Sequence, residues 1–137
     1  MKFVIIDATA REVKTVECET LQDAEALAGL DKGKVDHGSI ARNIGYVVDE
    51  HGLFKPIAEQ HYFVMNSRLV AGNSVLYAYN DLGDTIDMQR APMIFFLENR
   101  LEVIESAFAK GICHRPQLKI NDKIIWQWPE PEVRYPK

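Results

Sequence analysis

Two arginines and two asparagines at inferred strand ends are the side chains best suited to bind a ligand. They are Arg42, Asn66, Arg68 and Asn73, in the segments Ala-Arg-Asn, Met-Asn-Ser-Arg and Gly-Asn-Ser. A guanidinium group presents a planar fork of donors that fits a phosphate or a carboxylate, and amides add further donors. The pattern predicts a binding surface for a small anionic ligand or for another protein. Each arginine also fits an ordinary solvated position in a loop, and that alternative stays open.

The histidines follow no spacing that is typical of a metal site. His37, His51, His61 and His114 are never three or four residues apart, the spacing that places two ligands on one helix face. The nucleophile motif Gly-x-Ser-x-Gly and the glycine-rich phosphate loops are missing too. We therefore predict no metal, no cofactor and no catalytic residue that a local motif would reveal.

A small hydrolase is the alternative function, because a catalytic site that forms only in the folded chain needs no local motif. His61 and His114, together with Asp36 or Asp84, are the candidates for its acid and base. Histidine suits this role because it exchanges protons near neutral pH.

Length and composition predict a single globular domain of 137 residues, with 47% apolar and 26% charged side chains. A net charge of −4 gives no field that attracts nucleic acid, so a nucleic-acid partner is disfavoured. The apolar runs Phe3–Ile6 and Met93–Leu97 are far too short to span a membrane, and the N-terminus does not resemble a secretion signal. Cys18 and Cys113 form no redox or zinc motif. These features predict a cytoplasmic protein without a membrane partner.

Hydrophobic periodicity predicts an α+β fold, a mainly antiparallel sheet with two helices in a single domain of residues 1–137. We expect an opening hairpin, a short helix after Thr20, a polar exposed loop and one strand that turns into a further hairpin at Leu53 and Phe54. The corresponding ranges are Lys2–Ala8 with Glu12–Cys18 for the first hairpin, Leu21–Gly29 for the helix, Leu30–Gly38 for the loop and Ser39–Asp49 for the strand.

The segment His61–Met88 reads as three strands separated by turns, and we predict that it forms the centre of the sheet. In the strand Ser74–Asn80, Val75, Tyr77 and Tyr79 alternate with Leu76 and Ala78. Both faces of this strand carry apolar groups, so we expect both to be covered. Downstream, the pattern predicts a helix that covers one of those faces, a hairpin with two tryptophans and an extended tail. Their ranges are Glu98–Lys110, Gln117–Ile120 with Lys123–Trp128, and Pro129–Lys137.

Residues 1–88 resemble a family of small domains of uncharacterised function from bacteriophages and mobile elements. The resemblance rests on Met-Lys-Phe-Val-Ile-Ile, Thr-Leu-Gln-Asp-Ala-Glu-Ala-Leu, Tyr-Val-Val-Asp-Glu-His-Gly-Leu and Ala-Gly-Asn-Ser-Val-Leu-Tyr. It implies no catalytic residues. It does imply a role in the takeover of a host cell or in the evasion of its defences. Residues 89–137 depart from the family pattern and are expected to be an added element.

Taken together, these features favour a non-catalytic binding or interaction protein. Tyrosine, tryptophan, asparagine and arginine are types that serve recognition surfaces, and no reactive constellation accompanies them. We expect counter-defence by binding of a host protein or by sequestration of a small nucleotide-like ligand. An exposed edge strand or the tryptophan hairpin offers a surface for a homodimer.

Overall fold

Two layers of side chains pack on the opposite faces of one antiparallel sheet. The computed structural model describes residues 1–51, 61–65, 68–111, 117–121 and 123–127. In chain order the elements are β1 (Lys2–Asp7), β2 (Glu12–Glu17), α1 (Leu21–Leu27), β3 (Val35–Ala41), β4 (Ile44–Asp49), β5 (Tyr62–Met65), β6 (Arg68–Ala71), β7 (Ser74–Tyr79), β8 (Thr85–Ile86), a 3₁₀ turn (Met88–Arg90), α2 (Ile94–Ala109), β9 (Gln117–Ile120) and β10 (Lys123–Gln127).

The main sheet has the strand order β2-β1-β7-β4-β3, and the short β8 also pairs with β7. Every described pair of strands is antiparallel, and the α+β class with two α-helices is thereby confirmed. Strand β7 lies between β1 and β4, so that Leu76 is opposite Val4 on one side and Tyr46 on the other. Among the described residues, no helix has the length and apolarity that crossing a membrane requires.

Alternation along β7 divides the core into two clusters, as the sequence predicted. Leu76 and Ala78 point to the face that α2 and the β5–β6 hairpin cover. Val75 and Tyr77 point to the other face, where α1 packs with Ala24 and Ala28. The face beneath α2 carries the larger cluster, because α2 and the β5–β6 hairpin both contribute side chains to it, among them Phe63 and Phe108.

The short helix α1 begins where its capping signal predicts. The Thr20 hydroxyl accepts a hydrogen bond of 3.1 Å from the backbone N–H of Asp23, which satisfies one of the free donors at the helix start. Leu21, Ala24 and Ala28 then lie on the side that faces β1 and β7. A single apolar stripe thus fixes the helix against the sheet.

The predicted start of the second helix at Glu98 is wrong, since α2 begins at Ile94. Its first turn is already helical, because the N–H of Leu97 bonds to the carbonyl oxygen of Met93 at 3.1 Å. The run Ile94–Leu97 is apolar throughout and therefore looks like a buried strand in sequence. In the folded chain Leu97 is buried, whereas Phe95 remains 80% exposed.

The predicted loop that ends at Gly38 is also wrong, because strand β3 begins at Val35 and pairs with β4. Strand β3 lies at the edge of the sheet and carries mainly exposed residues, so it lacks the apolar alternation of a buried strand. Gly38 is a strand residue opposite Tyr46, and a Cβ there would overlap the Tyr46 ring. This glycine marks a close approach and not a loop.

Only part of the segment His61–Met88 forms the centre of the sheet. Strands β5 and β6 pair with each other as a separate two-stranded sheet, and β7 alone occupies the central position. The reason is that alternation fixes which side chains share a face but does not choose the partner of a strand.

The predicted closing hairpin is confirmed, since β9 and β10 pair in antiparallel fashion around Asn121, whose φ is 50°. The predicted strand at Leu53 and Phe54, and the predicted tail Pro129–Lys137, lie outside the described residues.

Candidate binding groove beside α2

A groove of about 460 Å³ lies between the outer flank of α2 and strand β5. This volume falls within the range of ligand-binding clefts, roughly 300 to 1,000 Å³. Its floor is apolar and its rim carries a few polar groups, the composition that is typical of such clefts. The described residues that line it are Phe63, Val64, Asn99, Glu102, Val103, Ile104, Ser106, Ala107, Phe108 and Lys110.

The floor of the groove comes from side chains that also belong to the main core. Phe63 of β5 and both Ile104 and Phe108 of α2 are buried in the larger cluster. Val103 lies next to them along the helix but is 58% exposed. A rigid apolar base thus continues outward into an exposed aliphatic side chain, which gives the groove a fixed floor and one accessible anchor.

The rim places opposite charges at different positions along the helix. Glu102 lies in the middle of α2, and Lys110 is the residue that caps its C-terminus. A cation at that end is favoured by the helix dipole. In the part of the chain that the structure describes, neither side chain forms a salt bridge, so both remain available to a bound molecule.

The predicted site residue Asn73 holds the backbone together at the start of β7. Its amide oxygen accepts a hydrogen bond of 2.9 Å from the N–H of Ala8, and its amide nitrogen donates to the carbonyl oxygen of Ala28 at 3.0 Å. Asn73 thereby ties the end of β1 to the end of α1. Its polar atoms are already engaged inside the protein.

Replacing Asn73 by alanine is expected to lower the free energy of unfolding by about 1 to 3 kcal/mol, because it leaves two backbone groups without partners. Urea denaturation followed by circular dichroism measures this change. Asn99→Ala is the matched control, since Asn99 is exposed on α2. Equal stabilities of the two variants would contradict the bridging role of Asn73.

Arg42 lies in the turn between β3 and β4, where its guanidinium nitrogen is 3.9 Å from the Asp81 carboxylate. Both side chains are exposed, so this pair contributes little to stability. The turn itself depends on the neighbour of Arg42. Asn43 is buried, has a φ of 62° and donates from its amide nitrogen to the carbonyl oxygen of Tyr79 at 2.8 Å. Sequence reasoning chose the exposed arginine and missed the buried asparagine.

The four predicted site residues do not form one described patch. Arg42 is next to the end of β7 and Asn73 precedes its start, and the strand between them has six residues, about 20 Å. Arg68 begins β6 opposite Met65, but its side chain and the whole of Asn66 lie outside the described part. A shared role for these residues in binding an anion stays a prediction.

The alternative catalytic pairs are only partly described. His61 precedes β5 and contacts no carboxylate among the described residues, and His114 lies outside them. Asp36 and Asp84 are exposed, the first on β3 and the second before β8. His51 does contact a carboxylate: its Nε2 is 3.1 Å from Oε1 of Glu50 in an exposed turn. Over residues 1–51, 61–65 and the later described ranges, no three histidine, cysteine, aspartate or glutamate side chains gather as metal ligands.

The groove beside α2 could not be predicted from the sequence alone. Leu101, Ile104, Ala107 and Phe108 form an apolar stripe along α2, and Val103 falls outside it. Val103 is one helical turn from Ala107, so its aliphatic side chain widens the apolar surface at the edge of this stripe. The second wall of the groove comes from β5, whose position beside α2 depends on tertiary packing.

Comparisons of the chain with protein-family models, with curated proteins and with solved structures each found no match. The resemblance of residues 1–88 to domains of bacteriophages and mobile elements therefore stays a prediction. Any function of this chain has to be inferred from its own residues and their geometry.

Proposed function

We propose that this chain is a non-catalytic binding protein that holds an apolar segment of a host protein in the groove between α2 and β5. The groove carries this proposal, because it joins a buried apolar floor to the exposed Val103. Binding energy at protein interfaces concentrates in a few apolar anchors that fill such pockets.

The chemistry of the groove favours a polypeptide over a nucleotide. A nucleotide needs several donors for its phosphates, and among the described lining residues Lys110 is the one cationic side chain. An apolar segment instead matches the floor of Phe63, Ile104 and Phe108. A basic side chain next to that segment would meet Glu102 at the rim, in keeping with the overall charge of −4.

The resemblance of the first 88 residues to domains of bacteriophages and mobile elements supports a host protein as the source of the segment. Under this proposal the chain interferes with the host by occupying a surface of that protein. Phe95 is also exposed on this helix, but it lies about two turns before Val103 and does not line the groove. Counter-defence by binding then requires no catalytic residue.

A photoreactive side chain in place of Val103 tests this proposal in a bacterial lysate. We expect it to form a cross-link to one dominant host protein, through a peptide that mass spectrometry identifies as apolar. The same photoreactive side chain in place of Leu82, which is exposed in the turn before β8, is the control and should not give this product. Equal products at both positions, or no product at position 103, would overturn the proposal.

The charge-inserting variant Val103→Asp is expected to weaken binding of the cross-linked protein by about tenfold or more, since it places a carboxylate against an apolar contact. Leu27→Asp is its matched control, because Leu27 on α1 is similarly exposed, at 61%, but does not line the groove. Isothermal titration calorimetry with the purified partner measures both affinities. An unchanged affinity for Val103→Asp would count against the groove as the interface.

A further inference from the structure

A buried carboxylate lies on the other face of the sheet, away from the groove. Glu25 is in the last turn of α1 and is only 6% exposed. Among the described residues its side chain has neither a hydrogen bond nor a salt bridge. A charge buried without a partner costs free energy, and proteins rarely keep one without a use. Glu25 is therefore a buried carboxylate without a described side-chain partner.

Three aromatic rings are grouped on the same face. Tyr77 and Tyr79 have ring centroids 5.9 Å apart, with an angle of 45° between the ring planes. The rings of His37 and Tyr77 pack edge to face, with 6.3 Å between their centroids and an angle of 79° between their planes. The Tyr77 ring lies over the backbone of Gly45, where a Cβ would be 2.6 Å from its Cζ. Gly45 thus makes room for the ring to lie close to the sheet.

The Glu25 carboxylate acts electrostatically on Tyr77, one member of this aromatic group. Burial raises the pKa of the Tyr77 hydroxyl, and the nearby Tyr79 and Glu25 raise it further. Tyr77 therefore stays neutral at physiological pH and presents an uncharged ring. Because α1 packs against β7, Glu25 and Tyr77 lie on the same side of the sheet. Tyr77 and Tyr79 are both only half-buried, so the aromatic group is open to solvent.

We propose that Glu25, Tyr77, Tyr79 and His37 bind an organic cation, an alkylammonium or guanidinium group. The faces of aromatic rings attract such cations, and a carboxylate supplies the neutralising charge. A metal ion fits less well, because Ca²⁺ and Mg²⁺ require several oxygen ligands and this group offers one carboxylate. The site is independent of the groove, since the two lie on opposite faces of the sheet.

A pair of ligands of matched shape tests this proposal. Choline is titrated into the isotopically labelled full chain, and the ring signals of Tyr77, Tyr79 and His37 are followed by NMR. We expect saturable shifts with choline and none with 3,3-dimethyl-1-butanol, its neutral isostere. Methylguanidinium and methylurea form a second pair for the guanidinium case. Equal shifts from charged and neutral ligands, or no saturable shift from either cation, would overturn the proposal.

Two glutamate variants locate the charge that binds the cation. Glu25→Gln is expected to weaken choline binding by about tenfold or more, because it removes the charge but keeps the shape. Glu19→Gln makes the same change at an exposed position just before α1 and should leave the affinity as it is. Choline should also raise the melting temperature of the native chain and of Glu19→Gln, and should raise that of Glu25→Gln by less at the same choline concentration. Unchanged affinity in Glu25→Gln would exclude its carboxylate as the counter-charge.

The source of the cation is resolved by comparing free and peptide-borne groups. A short peptide with one trimethyllysine and a peptide with one arginine are titrated beside choline and methylguanidinium. Tighter binding of a peptide than of its free cation assigns the site to a side chain of another protein, and the reverse order assigns it to a small metabolite. Either order supports the proposal, while binding that Tyr77→Leu leaves intact would contradict it.

Discussion

Replacement of Leu76 by alanine is expected to lower the free energy of unfolding by about 2 to 5 kcal/mol. Leu76 is completely buried in the central strand β7 and lies opposite both Val4 and Tyr46. The smaller side chain would leave a cavity beneath α2, because neighbours in three adjacent strands cannot all move inward. Urea denaturation followed by circular dichroism gives the free energy, and the slope of the transition tests whether unfolding stays two-state.

Leu82→Ala provides the matched control, since it removes the same atoms from a side chain that is 87% exposed. We expect its free energy of unfolding to stay within about 0.5 kcal/mol of the native value. The contrast between two identical substitutions isolates burial as the cause. A small effect at Leu76, or an equal effect at both positions, would contradict the central position of β7.

Replacement of Asn43 by alanine is expected to cost about 2 to 4 kcal/mol, from left-handed backbone strain together with lost hydrogen bonds. The residue has a φ of 62°, a conformation that asparagine tolerates better than alanine. Its amide nitrogen donates to the carbonyl oxygen of Tyr79 at 2.8 Å and to Asp81 Oδ1 at 3.1 Å. The N–H of Tyr79 in turn donates to the carbonyl oxygen of Asn43 at 3.0 Å. The substitution therefore weakens the junction between the β3–β4 turn and the end of β7.

Two further variants separate the causes of that loss. Asn43→Gly removes the side-chain hydrogen bonds but accepts the positive φ, so it should be more stable than Asn43→Ala. Arg42→Ala is expected to change stability by no more than about 0.5 kcal/mol, because its ion pair with Asp81 is exposed. Thermal and urea denaturation of the three variants rank their stabilities. A larger loss for Arg42→Ala than for Asn43→Ala would overturn this account of the turn.

Elements with a strong local pattern were predicted well from the sequence. The first hairpin, the capped helix α1 and the alternation along β7 are all signalled by neighbours in the chain. Strand β3 was missed because an edge strand exposes polar residues and needs no apolar alternation. The start of α2 was misplaced because Ile94–Leu97 has no polar face, and only packing shows which of its side chains is buried.

The candidate site was predicted much less well than the fold. Arg42 and Asn73 were selected by residue type, yet Asn73 links Ala8 to Ala28, and Asn43 has the buried role beside Arg42. The type of a side chain states which bonds it can form, but the partner depends on strands that are distant in sequence. The groove and the pairing of Glu25 with Tyr77 escaped prediction for the same reason, since each joins a helix to a strand far along the chain.

The class of the fold follows from local sequence patterns, because the period of apolar residues and the turn signals involve only neighbours in the chain. The same patterns show which side chains of β7 share a face. Tertiary packing was needed to establish that β7 pairs with β1 and β4, that β5 and β6 form a separate sheet beside α2, and that Glu25 is buried. These outcomes depend on contacts between distant segments, whose free energy arises from shared burial and not from the pattern of any one segment.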